Sequence, residues 1–222
     1  MGVSAQSPAP QAHAPSPAGR PVAGTSRRRG EQLLDAVHSA VLEEISEVGL
    51  RGASMDRIAH RAGTGKAALY RRWPNVRALA LDVFISTLDE TLPSTSPDTG
   101  SLRQDLLSSL SLLSGELDSH LGIVMRELIS EAAHDQALSQ EFQDRFGLRK
   151  QIEAVAMLQR AVARGEIPMQ TIDPYVLQLP AALIVHQLIM TGSAPTPSEV
   201  EHIVDVIMLP LLRSPSGRLS HP

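Results

Sequence analysis

The first strongly periodic stretch of the chain runs from residue 30 to residue 48. Apolar side chains recur in it at every third or fourth position: Leu34, Val37, Val41, Ile45 and Val48. That spacing places them on one face of a helix. Gly49 is a natural end for this helix, since glycine adopts left-handed backbone conformations at no steric cost. The pattern predicts an amphipathic helix over 30–48.

Two short helices joined by a glycine turn are predicted next. Ser54 has the side chain of an N-cap. The apolar residues that follow it at helical spacing are Met55, Ile58, Ala59 and Ala62. Gly63 suits a sharp turn. A second helix is predicted from Lys66 to Arg72, because Pro74 disfavours helix in the residue before it. This arrangement is typical of a helix-turn-helix motif.

The rest of the chain also has helical periodicity. A fourth helix is predicted over 75–88 and a linker over 93–100. Further helices are predicted near 101–118, 121–133, 136–164, 174–191 and 198–212. Aromatic residues make up only 3% of the chain, which favours helices over sheets. We expect an all-α fold, with an N-terminal three-helix helix-turn-helix domain and its connecting helix over 27–92 and a C-terminal helical domain over 101–213.

The N-terminal segment differs from the rest in composition. Residues 1–26 consist mainly of Ala, Pro, Ser, Gly and Gln, with no apolar run that could serve as a signal peptide. They are predicted to be a disordered tail. Arg27, Arg28 and Arg29 follow it, and two interpretations of them are open. They form a flexible basic arm for a minor groove or for phosphates, or they belong to a solubilising tail.

Charge is distributed unevenly along the chain. The whole chain has 20 Lys and Arg against 24 Asp and Glu, yet residues 20–79 contain 11 basic and 6 acidic side chains, a difference of +5 that leaves −9 elsewhere. Asp56 is the acidic residue among a run of basic ones: Arg51, Arg57, Arg61, Lys66, Arg71, Arg72 and Arg77. On a helix-turn-helix such a cluster can neutralise phosphates, while DNA repels the acidic remainder. The pattern indicates double-stranded DNA as a partner.

Several of these motifs together carry a resemblance to a known family. They are Glu47-Val48-Gly49-Leu50 at the end of the first helix, Ser54 followed by Ile58-Ala59, Ala62-Gly63, and Leu69-Tyr70 followed three residues later by Trp73. Residues 29–79 resemble the DNA-binding domain of the TetR family of transcriptional regulators. In that family a first helix buttresses the helix-turn-helix, and a fourth helix connects it to a ligand-binding body.

The chain departs from the family's pattern at two positions. Val76 stands where the family commonly has a phosphate-binding lysine, so that contact is not carried over, and Arg77 is its candidate substitute. Gly65 stands where the family often has serine, and Thr64 is the alternative source of a capping oxygen.

The resemblance implies a sequence-specific, homodimeric and ligand-responsive repressor that binds a DNA operator. The expected contact residues are Ser54, Thr64, Lys66, Ala67, Tyr70, Arg71, Arg72 and Arg77. Phosphate and base contacts are expected from Lys66 and from residues 70–72. Thr64 and Ala67 are expected to face bases, and Ser54 to anchor the preceding helix to the DNA backbone.

The last two long predicted helices have apolar faces suited to association. Residues 175–190 are apolar almost all round, which predicts burial. Because this segment is slightly short for a bilayer span and contains Pro180 and His186, no membrane partner is expected. The last helix has an apolar stripe of Val200, Ile203, Val204, Ile207, Met208 and Leu211. In the resembled family these two helices pair with their copies in a second subunit, which implies a homodimer.

The family also implies a pocket for an unknown small-molecule effector. The candidate lining residues are Met125, Leu128, Phe142, Phe146, Leu158, Leu183, His186 and Gln187. The competing interpretation of each apolar candidate is an ordinary core residue. For His186 and Gln187 it is a side chain hydrogen-bonded to its surroundings.

Enzymatic motifs are not matched. The glycine-rich run 63–66 lacks the first glycine of a phosphate loop, because residue 60 is His60, and lacks its final Ser or Thr, because residue 67 is Ala67. The chain has no cysteine, and no two histidines stand at helical zinc-site spacing. We therefore expect no catalytic activity, no metal and no cofactor.

Three functions are weighed. The first is a cytoplasmic, ligand-responsive repressor. The second is a constitutive DNA-binding or architectural protein whose C-terminal domain only dimerises. The third, a helical enzyme with an incidental basic motif, would require turnover without DNA affinity.

Overall fold

The structure, a computed structural model, describes Gly2, residues 23–169 and residues 173–214, and leaves out the side chains of residues 23–31 and 149. The tail predicted over 1–26 therefore lies mostly outside the described residues. In the described part the protein is all α-helical, as predicted.

Helices follow one another along the described chain: α1 Ala23–Gly52, α2 Met55–Arg61, α3 Lys66–Tyr70, α4 Val76–Thr91, α5 Leu102–Leu117, α6 His120–Ala132, α7 Gln136–Phe142, α8 Leu148–Ala163, α9 Pro174–Thr191, α10 Pro197–His202 and α11 Leu209–Arg213. Two π-helical turns, Gln143–Gly147 and Ile203–Met208, join α7 to α8 and α10 to α11. The helices predicted over 136–164 and 198–212 are therefore continuous, but each contains a π-helical segment.

The first helix begins earlier than predicted and breaks where predicted. It starts at Ala23, so the backbone of Arg27–Arg29 is helical and does not form a flexible arm ahead of it. Arginine is a good helix former, and an established helix extends at little cost into such residues. Gly49 has φ 71° and ψ 166°, which interrupts the helical geometry.

The break at Gly49 also allows a close approach by α6. A Cβ atom on Gly49 would lie 3.1 Å from Glu127 Oε2. The next backbone amide, that of Leu50, donates to the same oxygen at 2.8 Å. Any side chain at residue 49 would therefore be strained both by the positive φ and by the carboxylate.

The core is continuous between the N-terminal helices and the C-terminal body. Ile58 of α2 and Leu69 of α3 are buried in the same apolar cluster as Ile45 of α1. Phe84 of α4 is fully buried, and its ring stacks on Phe142 with centroids 5.7 Å apart. α6 packs on α1 and α4 and also on α5, so it is shared by both parts of the molecule.

A buried carboxylate holds α2 against α1. The side chain of Glu44 on α1 is completely buried, and it accepts hydrogen bonds from Arg57 and from Arg61, the latter at 3.1 Å. Burial of an ionised carboxylate is costly unless its oxygens are paired. The two arginines of α2 meet that requirement, so their charges serve the fold.

Glu44→Gln should lower the free energy of unfolding by about 1–3 kcal/mol, because the charge-assisted hydrogen bonds become weaker neutral ones. Urea denaturation followed by circular dichroism measures the change. Glu43→Gln is the matched control, since Glu43 is one residue away, is 56% exposed and lies 3.6 Å from Arg61. The control should change stability by no more than about 0.5 kcal/mol. Equal effects of the two substitutions would contradict the role assigned to Glu44.

Candidate DNA-binding surface and internal cavity

The helix-turn-helix is formed by local interactions that fix the position of α3. Ser54 Oγ accepts a hydrogen bond from the backbone amide of Arg57 at 3.2 Å, which caps α2 as predicted. Gly63 has φ 61°, the left-handed conformation that the turn requires. Gly65 is the N-cap of α3 and no side-chain hydrogen bond caps this helix, so the expectation that Thr64 supplies the capping oxygen is wrong.

α3 ends at Tyr70, two residues earlier than predicted. The backbone amides of Arg72 and Trp73 both donate to the carbonyl oxygen of Leu69 at 2.9 Å, which closes a turn in place of further helix. Trp73 is buried, and its indole N–H donates to Asp82 at 2.9 Å. The anchored indole fixes the turn that presents residues 71 and 72.

The exposed side of α3 and of the following turn contains five of the eight predicted DNA contacts. These five, called here the recognition surface, are Lys66, Ala67, Tyr70, Arg71 and Arg72. Ser54 and Thr64 are partly buried, and Arg77 lies at the start of α4. The Lys66 ammonium lies 2.6 Å from Asp56 and 5.7 Å from the centre of the Tyr70 ring. A short exposed helix with this chemistry can enter a major groove.

Four of the seven basic residues in the cluster pair with a buried carboxylate. Arg57 and Arg61 bind Glu44, while Arg51 and Arg77 bind Glu131 on α6 at 2.9 and 2.5 Å. Arg77 could contact a phosphate only in competition with Glu131, so its role in place of the missing phosphate-binding lysine stays a prediction.

The positive charge that remains is concentrated beside α3. Among the described contacts, Arg71 and Arg72 have no ion pair. The Arg72 guanidinium lies over the Trp73 ring, 4.8 Å from its centre, which limits the orientations it can adopt. Lys66 has only an exposed partner, and such pairs exchange readily for phosphate. The recognition surface is thus where the cluster can meet DNA.

The two acidic residues of α6 bind the other end of the DNA-binding domain. The hydrogen bond from Arg51, together with the charge of Arg77, holds the pKa of Glu131 below its ordinary value, against the opposing effect of desolvation. Glu127, four residues earlier, accepts from the Leu50 amide. We call Glu127, Glu131 and their three partners the α6 clamp.

A second polar link connects Trp73 to the π-helical turn after α7. Asp82 on α4 accepts from Trp73 and, at 2.7 Å, from Arg145 in that turn. Burial raises the pKa of Asp82, but hydrogen bonds from Arg145 and Trp73 outweigh that effect and hold the pKa below its ordinary value. The turn after α3 is therefore connected to the C-terminal body through one carboxylate.

The C-terminal body contains a cavity of about 890 Å³, a volume that includes its open mouth. Its walls come from α5, α8, α9, the linker after α4 and the C-terminal helix, with Leu110, Met157, Leu158, Leu177 and Met208 among the apolar residues. Arg160 of α8 fixes the linker by donating to Ser96 Oγ at 2.9 Å and to the Pro97 carbonyl oxygen at 2.5 Å. The lining is largely apolar with a few polar groups, as in small-molecule sites.

Of the eight residues predicted to line a pocket, only Leu158 lines this described cavity. Met125 and Leu128 are buried in the core, and Phe142 and Phe146 pack on Phe84. On α9, Leu183 and Gln187 are partly buried and His186 is exposed. The cavity lies instead against the N-terminal part of α9, at Val176, Leu177, Pro180 and Ala181. Leu183 and Gln187 share a face with Val176 but lie further along the helix, beyond the cavity.

Two family models match the chain. "Bacterial regulatory proteins, tetR family" covers residues 39–83, and "Tetracyclin repressor-like, C-terminal domain" covers residues 96–207. The chain belongs to the TetR family of transcriptional regulators. The resemblance drawn from the helix-turn-helix motifs is thereby confirmed, and TetR-family regulators bind DNA operators and act as dimers with small-molecule ligands.

Individual relatives agree with this assignment. The HTH-type transcriptional regulator YdeS of Bacillus subtilis is 32% identical over 80% of this chain and 89% of its own length. The DNA-binding transcriptional repressor TetR of Mycobacteroides abscessus is 27% identical over 83% of this chain and 96% of its own. Among solved structures, the TetR family transcription regulator SCO0332 superposes with a TM-score of 0.63 at 26% identity, covering 80% of this chain and 97% of its own. This protein is thus a transcriptional regulator and not an enzyme.

Arg71→Ala should weaken operator binding. It should also reduce the steepness of log K plotted against log salt concentration by about one, because one phosphate contact is lost. Tyr70→Ala should weaken binding with little change in slope. Fluorescence anisotropy with labelled duplex at several salt concentrations measures both effects. Arg126→Ala, on α6 and away from α3, is the control. Wild-type affinity in both test variants would remove the assignment of the recognition surface.

Glu131→Gln should destabilise the protein in a pH-dependent way. The pKa of Glu131 is lowered in the folded state, so its contribution is present above the ordinary carboxyl pKa of about 4.3 and is lost as pH falls through the lower folded value. The difference in Tm between wild type and variant should be largest near pH 7 and should shrink below about pH 4. Thermal melts over that range test this. Glu90→Gln, exposed on α4, is the control, and a difference independent of pH would contradict the assignment.

Proposed function

We propose that the protein is a cytoplasmic, homodimeric repressor that releases its operator when a small molecule occupies the cavity in the C-terminal body. The single observation that supports it most is the exposed recognition surface on α3, where Arg71 and Arg72 have no described ion pair and Lys66 pairs only with the exposed Asp56, whereas the rest of the basic cluster pairs with buried carboxylates. A second observation, the apolar cavity, favours effector control over a purely architectural role.

Exposed apolar side chains near the C-terminus support dimerisation. On α9, Tyr175 is 84% and Met190 is 69% exposed, and Ile189 is also exposed. On the C-terminal helix, Val206 and Leu211 are exposed. A second copy that packs on these helices would cover both sets, and a two-fold dimer would present two α3 helices to half-sites about one DNA turn apart.

We call the exposed apolar side chains of α9 and of the C-terminal helix the dimer face. The apolar stripe predicted on the last helix contributes less to the dimer face than expected. Val200, Ile203, Val204 and Met208 are buried within the protomer, whereas Leu211 is exposed. His186 lies on the outward side of α9, so its proposed role moves from the pocket to the dimer face. α9 is also long and apolar enough to cross a membrane by length and composition, but the outward apolar face is explained by pairing with a second copy.

The arrangement of α4 supports effector control. Asn75 caps the start of α4 five residues after α3, and Leu92, directly after its end, lines the cavity. A molecule that fills the cavity therefore contacts the residue that follows α4. Movement of α4 would change the separation of the two recognition helices in a dimer, and an effector with a preference for the altered state would release DNA.

Selection of binding sites from random duplex DNA tests this function. The expected result is a palindrome of two half-sites, with affinity that falls as salt rises. Compounds that fill the cavity are then titrated against the protein–operator complex, and release is expected. A palindrome without release by any cavity-binding compound would favour the constitutive architectural function. Failure to enrich any sequence would overturn operator recognition.

A further inference from the structure

One carboxylate lies between two arginines, one from the C-terminal body and one from the recognition surface. Asp82 Oδ1 accepts a hydrogen bond from Arg145 at 2.7 Å, and Asp82 Oδ2 accepts from the indole N–H of Trp73 at 2.9 Å. The face of that indole carries the Arg72 guanidinium, 4.8 Å from the ring centre. The charge of Arg72 also helps to lower the pKa of Asp82. Both arginines therefore act on Asp82, but in the described contacts only Arg145 is hydrogen-bonded to it.

Asp82 needs a cationic partner, and Arg72 can take the place of Arg145. The side chains of Asp82 and Arg145 are 29% and 33% exposed. A partly buried carboxylate is costly to leave unpaired. Arg72 is exposed and has no ion pair among the described contacts, so no other carboxylate holds it. If Arg145 were withdrawn, the guanidinium of Arg72 would bind Asp82 and would no longer be available to phosphate.

We propose that Arg145 and Asp82 are positioning residues for DNA recognition, because Arg145 occupies the carboxylate that would otherwise bind Arg72. The occupied carboxylate orients the indole of Trp73. The indole in turn supports the Arg72 guanidinium on its face, where a phosphate can reach it. The inference rests on the proposed function, and it names a contact through which the C-terminal body controls the recognition surface.

The location of Arg145 makes this contact sensitive to conformation. Arg145 lies in the π-helical turn Gln143–Gly147, whereas Asp82 lies on α4. The neighbouring Phe146 packs on Phe84 of α4, with ring centroids 5.7 Å apart. A movement of the turn relative to α4 therefore changes the distance between Arg145 and Asp82. An effector-bound state in which the two elements separate would release Asp82 and weaken operator binding.

Arg145→Gln tests the competition for Asp82. It should raise the Kd for the operator by about fivefold or more, because Asp82 then binds Arg72. In a chain that already carries Asp82→Asn, the same substitution should change Kd by less than about twofold. Asparagine still accepts from the indole N–H, but it has no charge that attracts Arg72. The comparison within one background removes the general effect of the lost negative charge on DNA affinity.

Arg103→Gln is the matched control. It removes the same charge from the C-terminal body and breaks an ion pair of the same length, since Arg103 lies 2.7 Å from Asp205. Neither residue of that pair contacts the helix-turn-helix in the described structure. The control should leave the Kd within about twofold of wild type. Circular dichroism verifies that each variant is folded.

Arg72→Ala removes the side chain that Asp82 and phosphate compete for. It should weaken operator binding, and adding Arg145→Gln to it should cause no further loss. A second measurement needs no DNA, because Trp73 is the one tryptophan of the chain. Arg72→Ala and Arg145→Gln should each increase quenching of its fluorescence by acrylamide, since the guanidinium no longer covers the ring. Arg103→Gln should leave the quenching unchanged.

Several outcomes would overturn the inference. They are wild-type affinity in Arg145→Gln or in Arg72→Ala, an equal loss in Arg103→Gln, a loss that persists in the Asp82→Asn background, and a further loss when Arg145→Gln is added to Arg72→Ala. Unchanged quenching in Arg145→Gln, with operator binding intact in wild type, refutes only the positioning role. Absence of an operator for the wild type refutes the proposed function, and the role of these residues in recognition with it.

Discussion

The attachment of the DNA-binding helices to α6 is the constraint on which the rest of the molecule depends. Glu127 and Glu131 lie on one face of α6, one helical turn apart. The first accepts the Leu50 amide at the Gly49 break, and the second binds Arg51 and Arg77. Since these partners lie at the end of α1 and the start of α4, the two helices that flank the helix-turn-helix are both fixed to the body through one helix.

Internal carboxylates also decide which positive charges are available for DNA. Fewer positive charges can contact phosphates than the basic cluster in the sequence contains, because Glu44 and Glu131 each bind two arginines. What remains is beside α3, where Arg72 is further restrained by Trp73. In the proposed complex with DNA, such an arrangement would confine electrostatic attraction to the surface that reads bases, and phosphate contacts would also set the register of the helix in the groove.

Features of the structure that depend on neighbouring residues were predicted from the sequence. Features that depend on contacts between residues far apart in the chain were not. The cap at Ser54, the turn at Gly63 and the bounds of α9 follow from local backbone chemistry, and the structure has them. The pairing of Arg77 with Glu131 could not be predicted, because the two residues are 54 positions apart in the sequence. On α9 the predicted lining lay further along the helix than the cavity does, because helical periodicity indicates a face and not how far along it a cavity extends. The π-helical turns had no signal in the pattern.

The position of α4 limits how an effector can act. This helix has 16 residues, so it spans about 24 Å as a stiff rod between the cavity residue Leu92 and the turn that follows α3. A displacement at its C-terminal end reaches α3 only if Arg77 moves relative to Glu131 or carries α6 along. Under the proposed mechanism, a ligand would have to supply enough differential binding free energy to shift the α6 clamp. Such coupling is reciprocal. The factor by which the ligand weakens operator binding equals the factor by which the bound operator weakens ligand binding.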